Sequence, residues 1–293
     1  MSFGTVAILG PGLIGGSLAL ALAERKLANR LIVYGRSNSS FPAIQASCPI
    51  AEATTDVKLA IEDADVVILC MPIESMFKFI APIAHLFKPS ALVTDVGSVK
   101  GTVERDLAPL FVNNAHWIGS HPMAGGEKSG FGAARADLFE GAAVVITPTS
   151  KTSLIAQKRA EEFWKSLGAR LFTLSPEEHD QKVAAISHIP HLIASALVNH
   201  AEAAKSLELA GGGFRDTTRV ASGSPELWAE ILFANRTAVA QSLRSFIEHL
   251  EQVHQMITIL NPMSPGDTDA LRMILQFAKD SRAKLPTQHS KTS

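Results

Sequence analysis

The feature that most constrains this chain is a glycine-rich turn near its start. Thr5-Val6-Ala7-Ile8-Leu9 is a short, uncharged, β-branched run, and Gly10-Pro11-Gly12-Leu13-Ile14-Gly15 follows it immediately. A strand that empties through Gly-x-Gly-x-x-Gly into a helical stretch has a mechanical meaning. The first glycine permits the tight turn, the second lets a pyrophosphate approach the backbone, and the third allows close helix–strand packing. The helix start then offers unpaired N–H groups to the phosphates. Gly10, Gly12, Leu13, Ile14 and Gly15 are therefore candidate dinucleotide-binding residues.

The pattern continues in the same style. Leu31–Tyr34, Val66–Cys70 and Ala91–Val96 read as strands bounded by Gly, Pro or Asp, with helical stretches such as Gly15–Leu27 and Ile73–Leu86 between them. Uninterrupted apolar runs suit parallel strands covered on both faces. Trp117–Gly119, Ala143–Thr147 and Arg170–Thr173 are further expected strands. The fold predicted is α/β: an N-terminal Rossmann-type doubly wound parallel sheet over residues 1–174.

The pattern changes at Leu174. Ser175-Pro176-Glu177-Glu178 is a capping box that starts a helix. No strand is legible beyond it, so residues 175–282 are expected to form an all-α domain and 283–293 a flexible tail. Gly211-Gly212-Gly213 separates two helical blocks, and Pro225 is expected to open one long helix through about Leu260. Leu243, Phe246, Leu250, Val253 and Ile257 recur on one face of it, with Ile247 widening the stripe. Such a stripe is either a core face or a dimer seam.

Composition excludes several classes. Lys plus Arg is 27 and Asp plus Glu 28, a net charge of −1, which gives no footprint for nucleic acid or an anionic membrane. Cys48 and Cys70 alone cannot make a disulfide framework and fit a reducing compartment. Residues 6–23 carry no charge, yet their glycines and Pro11 would break a spanning helix. A cytoplasmic protein is expected.

Cofactor choice is read at the end of the second strand. An NAD site expects an acidic residue there for the ribose 2′-hydroxyl. This chain has Tyr34-Gly35-Arg36-Ser37 instead. Arg36 can make forked, charge-assisted hydrogen bonds to a 2′-phosphate and Ser37 can add another, so NADP is expected over NAD. Met71 and Pro72, after the third strand, would line the nicotinamide side.

Ligands in open α/β sheets bind beyond the carboxyl ends of the strands. Asp95-Val96-Gly97-Ser98-Val99-Lys100-Gly101 follows the fourth strand, and Ser120-His121-Pro122-Met123-Ala124-Gly125-Gly126-Glu127-Lys128-Ser129-Gly130 follows the fifth. A histidine so placed is a natural general base for an alcohol proton. The helical half adds Ser187-His188-Ile189-Pro190-His191, and then Asp216 and Arg219 in Gly213-Phe214-Arg215-Asp216-Thr217-Thr218-Arg219. His188 and His191 could be half of a zinc site, but no third ligand at metal spacing accompanies them, so no metal is expected.

These motifs, in this order, resemble the prephenate/arogenate (cyclohexadienyl) dehydrogenase family of tyrosine biosynthesis, over nearly all of residues 4–260. The resemblance implies a nucleotide-binding domain followed by a helical dimerisation domain, hence a homodimer. It implies oxidation of a ring carbinol with loss of the ring carboxylate as CO2. By resemblance His121 is the catalytic histidine that takes the C4 hydroxyl proton, and Ser98 orients it near the nicotinamide. His191, with His188, matches substrate-binding histidines, and Arg219 matches the anchor of a substrate carboxylate. Glu127 and Asp216 match acids that make ionic contacts at the mouth of the site. The chain leaves no room for a regulatory domain, so feedback by tyrosine would act at the active site.

Prephenate and arogenate differ by a keto group against an ammonium. Glu226, at the start of the helix after Arg219, is the acid that would favour the ammonium, so arogenate is expected ahead of prephenate. It also complements the helix dipole there. Two other readings compete with this one. A β-hydroxyacid dehydrogenase would rely on a lysine of the helical half, yet neither Lys182 nor Lys205 lies in a comparable motif. A silent NADP-sensing module would have a degraded reaction site, whereas Ser98, His121, His191 and Arg219 are all present.

Overall fold

Side chains that alternate above and below each strand decide the architecture. In β1 (Thr5–Leu9), Val6 and Ile8 enter one apolar cluster while Leu9 and Ala7 enter another. Both faces must therefore be covered, and crossover helices on both sides do so. The computed structural model describes residues 2–112, 115–126, 128–259 and 268–286. After β1 the chain forms α1 (Leu13–Glu24), β2 (Arg30–Tyr34), α2 (Phe41–Ser47), β3 (Ala51–Thr54), α3 (Val57–Ile61), β4 (Val66–Leu69) and α4 (Ile73–Ile80). It continues through β5 (Leu92–Asp95), α5 (Gly101–Phe111), β6 (His116–Pro122), β7 (Ala143–Thr147), α6 (Leu154–Ser166) and β8 (Arg170–Thr173).

The eight strands form one sheet in the order β3-β2-β1-β4-β5-β6-β7-β8. Successive crossovers leave β1 in opposite directions, so the crevice beyond the ends of β1 and β4 is the switch point where such sheets bind ligands. The expected all-parallel sheet needs one correction: β7 runs antiparallel to β6. Between them the described chain holds only the short 3₁₀ turn Phe131–Ala133. A parallel neighbour needs a crossover, usually helical, and the chain supplies none here. A second correction is β3, which the sequence reading passed over. Its Ala-Glu-Ala-Thr has little β-branched character, and it survives as an edge strand paired with β2.

Beyond Leu174 come α7 (Pro176–Val183), α8 (Ile189–Ala203), α9 (Gly212–Thr218), α10 (Pro225–Ala234), α11 (Arg236–Ile259) and α12 (Asp269–Arg282). The capping box forms: Ser175 Oγ accepts the Glu178 N–H at 3.2 Å, and Glu178 Oε2 accepts the Ser175 N–H at 3.0 Å. Between α7 and α8, residues 184–188 make a π-helical turn. Pro190 in the next turn has no N–H to bond back into it, which accounts for the widened ladder. The single helix expected from Pro225 to Leu260 is broken at Asn235, whose φ of −104° and ψ of 21° leave helical geometry.

The chain divides into two compact units, Met1–Arg236 and Thr237–Ser293. In the second, the α11 stripe carries half-buried Leu243, Phe246 and Val253 and exposed Ile247, Leu250 and Ile257. Helix α12, which the sequence reading did not assign, exposes Met273 and Phe277. Residues 287–293 of the expected tail lie outside the described residues, as does Leu260, the expected end of the long helix. Among the described residues no helix is long and apolar enough to cross a membrane.

Gly10 shows why the turn after β1 admits no side chain. Its φ is +119°, and a Cβ there would lie 2.2 Å from the Cys70 carbonyl oxygen on the neighbouring strand end. Both the backbone region and the space are closed to alanine. Gly10→Ala is expected to cost more than about 2 kcal/mol and to lower the urea midpoint accordingly, with the m-value unchanged.

Candidate active site

At the switch point, a cavity of about 320 Å³ is lined by residues that include Gly10, Gly12, Tyr34, Arg36, Met71 and Pro72. A Cβ on Gly15 would lie 2.0 Å from the Gly10 carbonyl oxygen, which fixes the closeness of α1 to the turn. Nothing lies within 4 Å of where a Gly12 Cβ would sit, so the backbone there is open to a phosphate. Leu13 and Ile14 are half-buried and pack against the core, leaving their peptide N–H groups at the start of α1. Ser37 is exposed and shares a 2.9 Å hydrogen bond with Ser39. Among the described residues no carboxylate lines the cavity. The rings of Tyr34 and Phe79, 5.5 Å apart, form an apolar wall. These residues fit a dinucleotide.

Beyond β5 and β6 lies a fully buried ion pair. The Lys100 ammonium donates to Asp95 Oδ2 and, at 2.8 Å, to the Ser120 carbonyl oxygen, with no exposure of either charged side chain. Asp95 also accepts the N–H groups of Gly97 (2.8 Å) and Ser120 (3.2 Å). Burial pushes the Lys100 ammonium down from its usual range, while the Asp95 charge beside it pulls the other way. The pair closes the 95–100 loop, which carries half-buried Ser98, and it grips the strand residue just before His121. Ser120 is further held by Thr94 Oγ1 at 2.7 Å and by the Trp164 indole N–H at 3.1 Å.

His121, only 8% exposed, touches His179 Nε2 through its own Nδ1 at 2.8 Å. His179 Nδ1 in turn meets Asp180 Oδ1 at 2.8 Å. Asp180 accepts the N–H groups of Lys100 (2.7 Å) and Gly101 (2.8 Å), at the start of α5. Burial is the main force pushing the His121 imidazole well below its ordinary value, helped by nearby His179, Lys100 and His188. Burial also lowers His179, against the pull of Asp180. Both rings are thus neutral near pH 7, as a proton acceptor must be.

The second histidine pair joins the π-helical turn, which carries His188, to the first turn of α8, which carries His191. His188 Nδ1 lies 3.1 Å from Asn235 Nδ2, which also donates to the Asp180 carbonyl oxygen at 2.9 Å. Burial pushes the His188 imidazole down to about 4. His191 stacks on Trp228 of α10, with ring centroids 3.7 Å apart and planes 12° apart. Its Nδ1 is buried and has no hydrogen-bond partner among the described residues. A buried imidazole nitrogen left unpaired is costly and fits a role awaiting a polar ligand. Gly223 makes room for this stack, since a Cβ there would meet Trp228 Nε1 at 2.5 Å.

Arg219, Asp216 and Glu226 are exposed, outside this buried cluster. Arg219 is exposed at the end of α9, one turn after exposed Asp216. Glu226 is exposed in the first turn of α10, where Ser224 Oγ donates to its Oε2 at 2.7 Å. Glu127 lies outside the described residues. Among the described residues no group of three or more His, Cys, Asp or Glu could hold a metal ion.

Comparison with known proteins bears directly on this arrangement. Residues 19–173 match the family model for the prephenate dehydrogenase nucleotide-binding domain, and residues 175–277 match the one for the prephenate dehydrogenase dimerization domain. The chain belongs to the prephenate dehydrogenase family. It is 32% identical to the prephenate dehydrogenase of Bacillus subtilis, over 96% of this chain and 76% of that protein. It is 31% identical to the cyclohexadienyl dehydrogenase of Zymomonas mobilis, over 98% of each. Among solved structures, it superposes on the prephenate dehydrogenase of A. aeolicus in complex with hydroxyphenyl propionate and NAD+ with a TM-score of 0.85, at 29% identity, covering 97% of this chain and 98% of that one. The Synechocystis arogenate dehydrogenase gives 0.81 at 31% identity, covering 96% and 99%. The fold read from the sequence, a doubly wound parallel sheet followed by a helical domain, is the fold of this family, with the antiparallel β7 as the correction. Its members are nicotinamide-dependent oxidoreductases acting on small molecules.

Within this family member, the sequence reading missed four site residues: Lys100 as a buried cation, His179, Asp180 and Asn235. His179 and Asp180 look like the unremarkable second turn of a capped helix. A signal was available in the apposition of a histidine and a carboxylate in a helix that leaves the sheet at the site. Breaking a buried pair by removing one partner leaves an uncompensated charge and typically costs about 3–5 kcal/mol. Lys100→Met is expected to destabilise by that amount in urea unfolding, whereas the double change Lys100→Met with Asp95→Leu recovers at least half of it.

Proposed function

We propose that this chain catalyses NADP-dependent oxidative decarboxylation of a cyclohexadienol, arogenate in preference to prephenate. The observation that carries the reading is the buried, neutral His121, whose Nδ1 is engaged by His179 so that Nε2 is the nitrogen left for a substrate. A positioned imidazole that accepts the C4 hydroxyl proton contributes about 10²–10⁴-fold. Gly10, Gly12, Leu13, Ile14 and Gly15 would hold the pyrophosphate, Arg36 and Ser37 the 2′-phosphate, and Met71 and Pro72 the nicotinamide side. Bound there, the nicotinamide supplies the acceptor for the hydride that leaves C4.

This chain's own groups do the rest. Ser98 orients His121 and the hydroxyl. Arg219 takes the side-chain carboxylate in a forked, charge-assisted contact, with His188 and His191 lining the ring and Glu127 and Asp216 ordering the mouth. The ring carboxylate is left loosely held, because pairing it in the ground state would oppose loss of CO2. Tyrosine, which keeps the side chain and the ring oxygen, would compete at the same groups. Residues 1–174 form the nucleotide domain, 175–282 the substrate and dimerisation domain, and the enzyme works as a cytoplasmic homodimer.

Initial velocities with both substrates and both cofactors test the reading. The expected result is turnover of either substrate with kcat/KM at least tenfold higher for NADP than for NAD. Charge-assisted hydrogen bonds are worth about 1.5–3 kcal/mol each, so Arg36→Ala should lower kcat/KM for NADP by roughly ten- to a hundredfold and leave NAD nearly unchanged. No NADPH formation with either substrate would defeat the assignment.

The arogenate preference rests on Glu226, and its exposure limits the effect. A charge screened by water shifts a substrate ratio only severalfold, roughly fivefold at most. Glu226→Gln should bring the arogenate-to-prephenate ratio of kcat/KM down to about one, with kcat preserved.

A further inference from the structure

The hydrogen-bond chain that runs back from His121 fixes the place of every proton in it. Both Asp180 oxygens accept backbone N–H groups, Oδ1 from Lys100 and Oδ2 from Gly101, so the 2.8 Å contact of Oδ1 with His179 is donated by the ring at Nδ1. A neutral His179 is then bare at Nε2 and can only accept. The 2.8 Å contact to His121 is therefore donated by His121 Nδ1–H. The one tautomer left to His121 has its lone pair at Nε2. In water a free histidine side chain favours the opposite tautomer, so the protein has to impose this one.

We propose that His179 is a positioning residue that sets the His121 tautomer and then carries the positive charge made during turnover. The inference rests on the reaction proposed above. As the C4 O–H bond breaks, its proton passes to His121 Nε2, and the Nδ1 proton of His121 passes to His179 Nε2. The O–H electron pair becomes the second C–O bond while the C4 hydride goes to the nicotinamide. Loss of the ring carboxylate as CO2 aromatises the ring to a phenolate. The two proton shifts then reverse and return the proton to that oxygen, so the histidine pair ends as it began.

The surroundings favour His179 as the place for the charge. The groups that face the pair are the Lys100 ammonium with Asp95, His188, and the Asp180 carboxylate. Lys100 and His188 oppose a cation on His121, whereas Asp180 lies against His179 alone. Moving the charge one ring back leaves the Lys100 ammonium still opposing it, but sets it directly against a carboxylate anchored by the start of α5, with Asp95 adding to the attraction. No exposed group takes part, since His179 is fully buried.

Two measurements test this. Long-range ¹H–¹⁵N correlation spectra of the ligand-free enzyme at pH 7.5 read the tautomer directly, with His121→Asn to assign the ring. The expected spectrum has His121 protonated at Nδ1 and bare at Nε2; in His179→Ala this tautomer is lost. Single-turnover rates in H2O–D2O mixtures read the second shift. The wild type should give a bowed, two-proton dependence. In His179→Gln the amide oxygen can accept from His121 but cannot take up a proton. That variant should keep the tautomer, lose about ten- to a hundredfold in rate with KM for substrate within threefold, and give a linear, one-proton dependence. Protonation of His121 at Nε2 in the wild type would overturn the inference, as would a His179→Gln enzyme with undiminished rate and a bowed inventory. The spectrum needs no substrate, so an enzyme inactive on both cyclohexadienols removes the reaction while the tautomer still decides the wiring.

Discussion

The Asp95–Lys100 ion pair is the interaction on which the rest of the site depends. Two opposite charges with no access to water are tolerable only when their remaining hydrogen-bonding capacity is filled. Here the filling is done by the backbone of Gly97 and Ser120, that is, by the loop that carries Ser98 and the strand that carries His121. Satisfying the pair and placing the reactive side chains are thus one and the same requirement. The peptide N–H groups of Lys100 and Gly101 extend the knot to Asp180, and so to His179 and His121.

The same economy governs charge in the site. The candidate substrates are anions, and an anion site could be made simply by protonating histidines. Instead burial holds His121, His179 and His188 neutral, and the permanent cation nearest to them is locked to Asp95. On the function proposed above, the long-range attraction falls to Arg219, which is exposed. On that proposal recognition and proton transfer are handled by different groups, and a change in one need not disturb the other.

How much of this was legible in the sequence follows from how locally each part is encoded. The glycine turn and the loops after β4, β5 and β6 each carry their chemistry in consecutive residues at a strand end, and all were readable. Arg36 could be placed because the turn after β2 has a fixed relation to Gly10. What could not be read is built from pairs distant in sequence. Asp180 is 80 residues from the N–H it accepts, and Asn235 is 47 from His188. The antiparallel β7 was hidden for another reason: a strand pattern reports burial on two faces and carries no sign of direction. Asn235 was hidden because one polar residue does not interrupt an apolar helical period.

The widened turn at 184–188 has a consequence for what this stretch can tolerate. In regular helix, eight positions would leave His188 about 80° round from Asp180. One additional residue absorbed in the turn sets the phase back by about 100°, which returns the two to nearly the same azimuth. Asn235 can then bridge the Asp180 carbonyl and the His188 ring. Point changes along this segment would alter bulk or polarity one position at a time. Removing a single amino acid would instead rotate everything downstream, carrying His191 off the Trp228 face, so the reading frame of the helix matters more here than the identity of the residues that fill it.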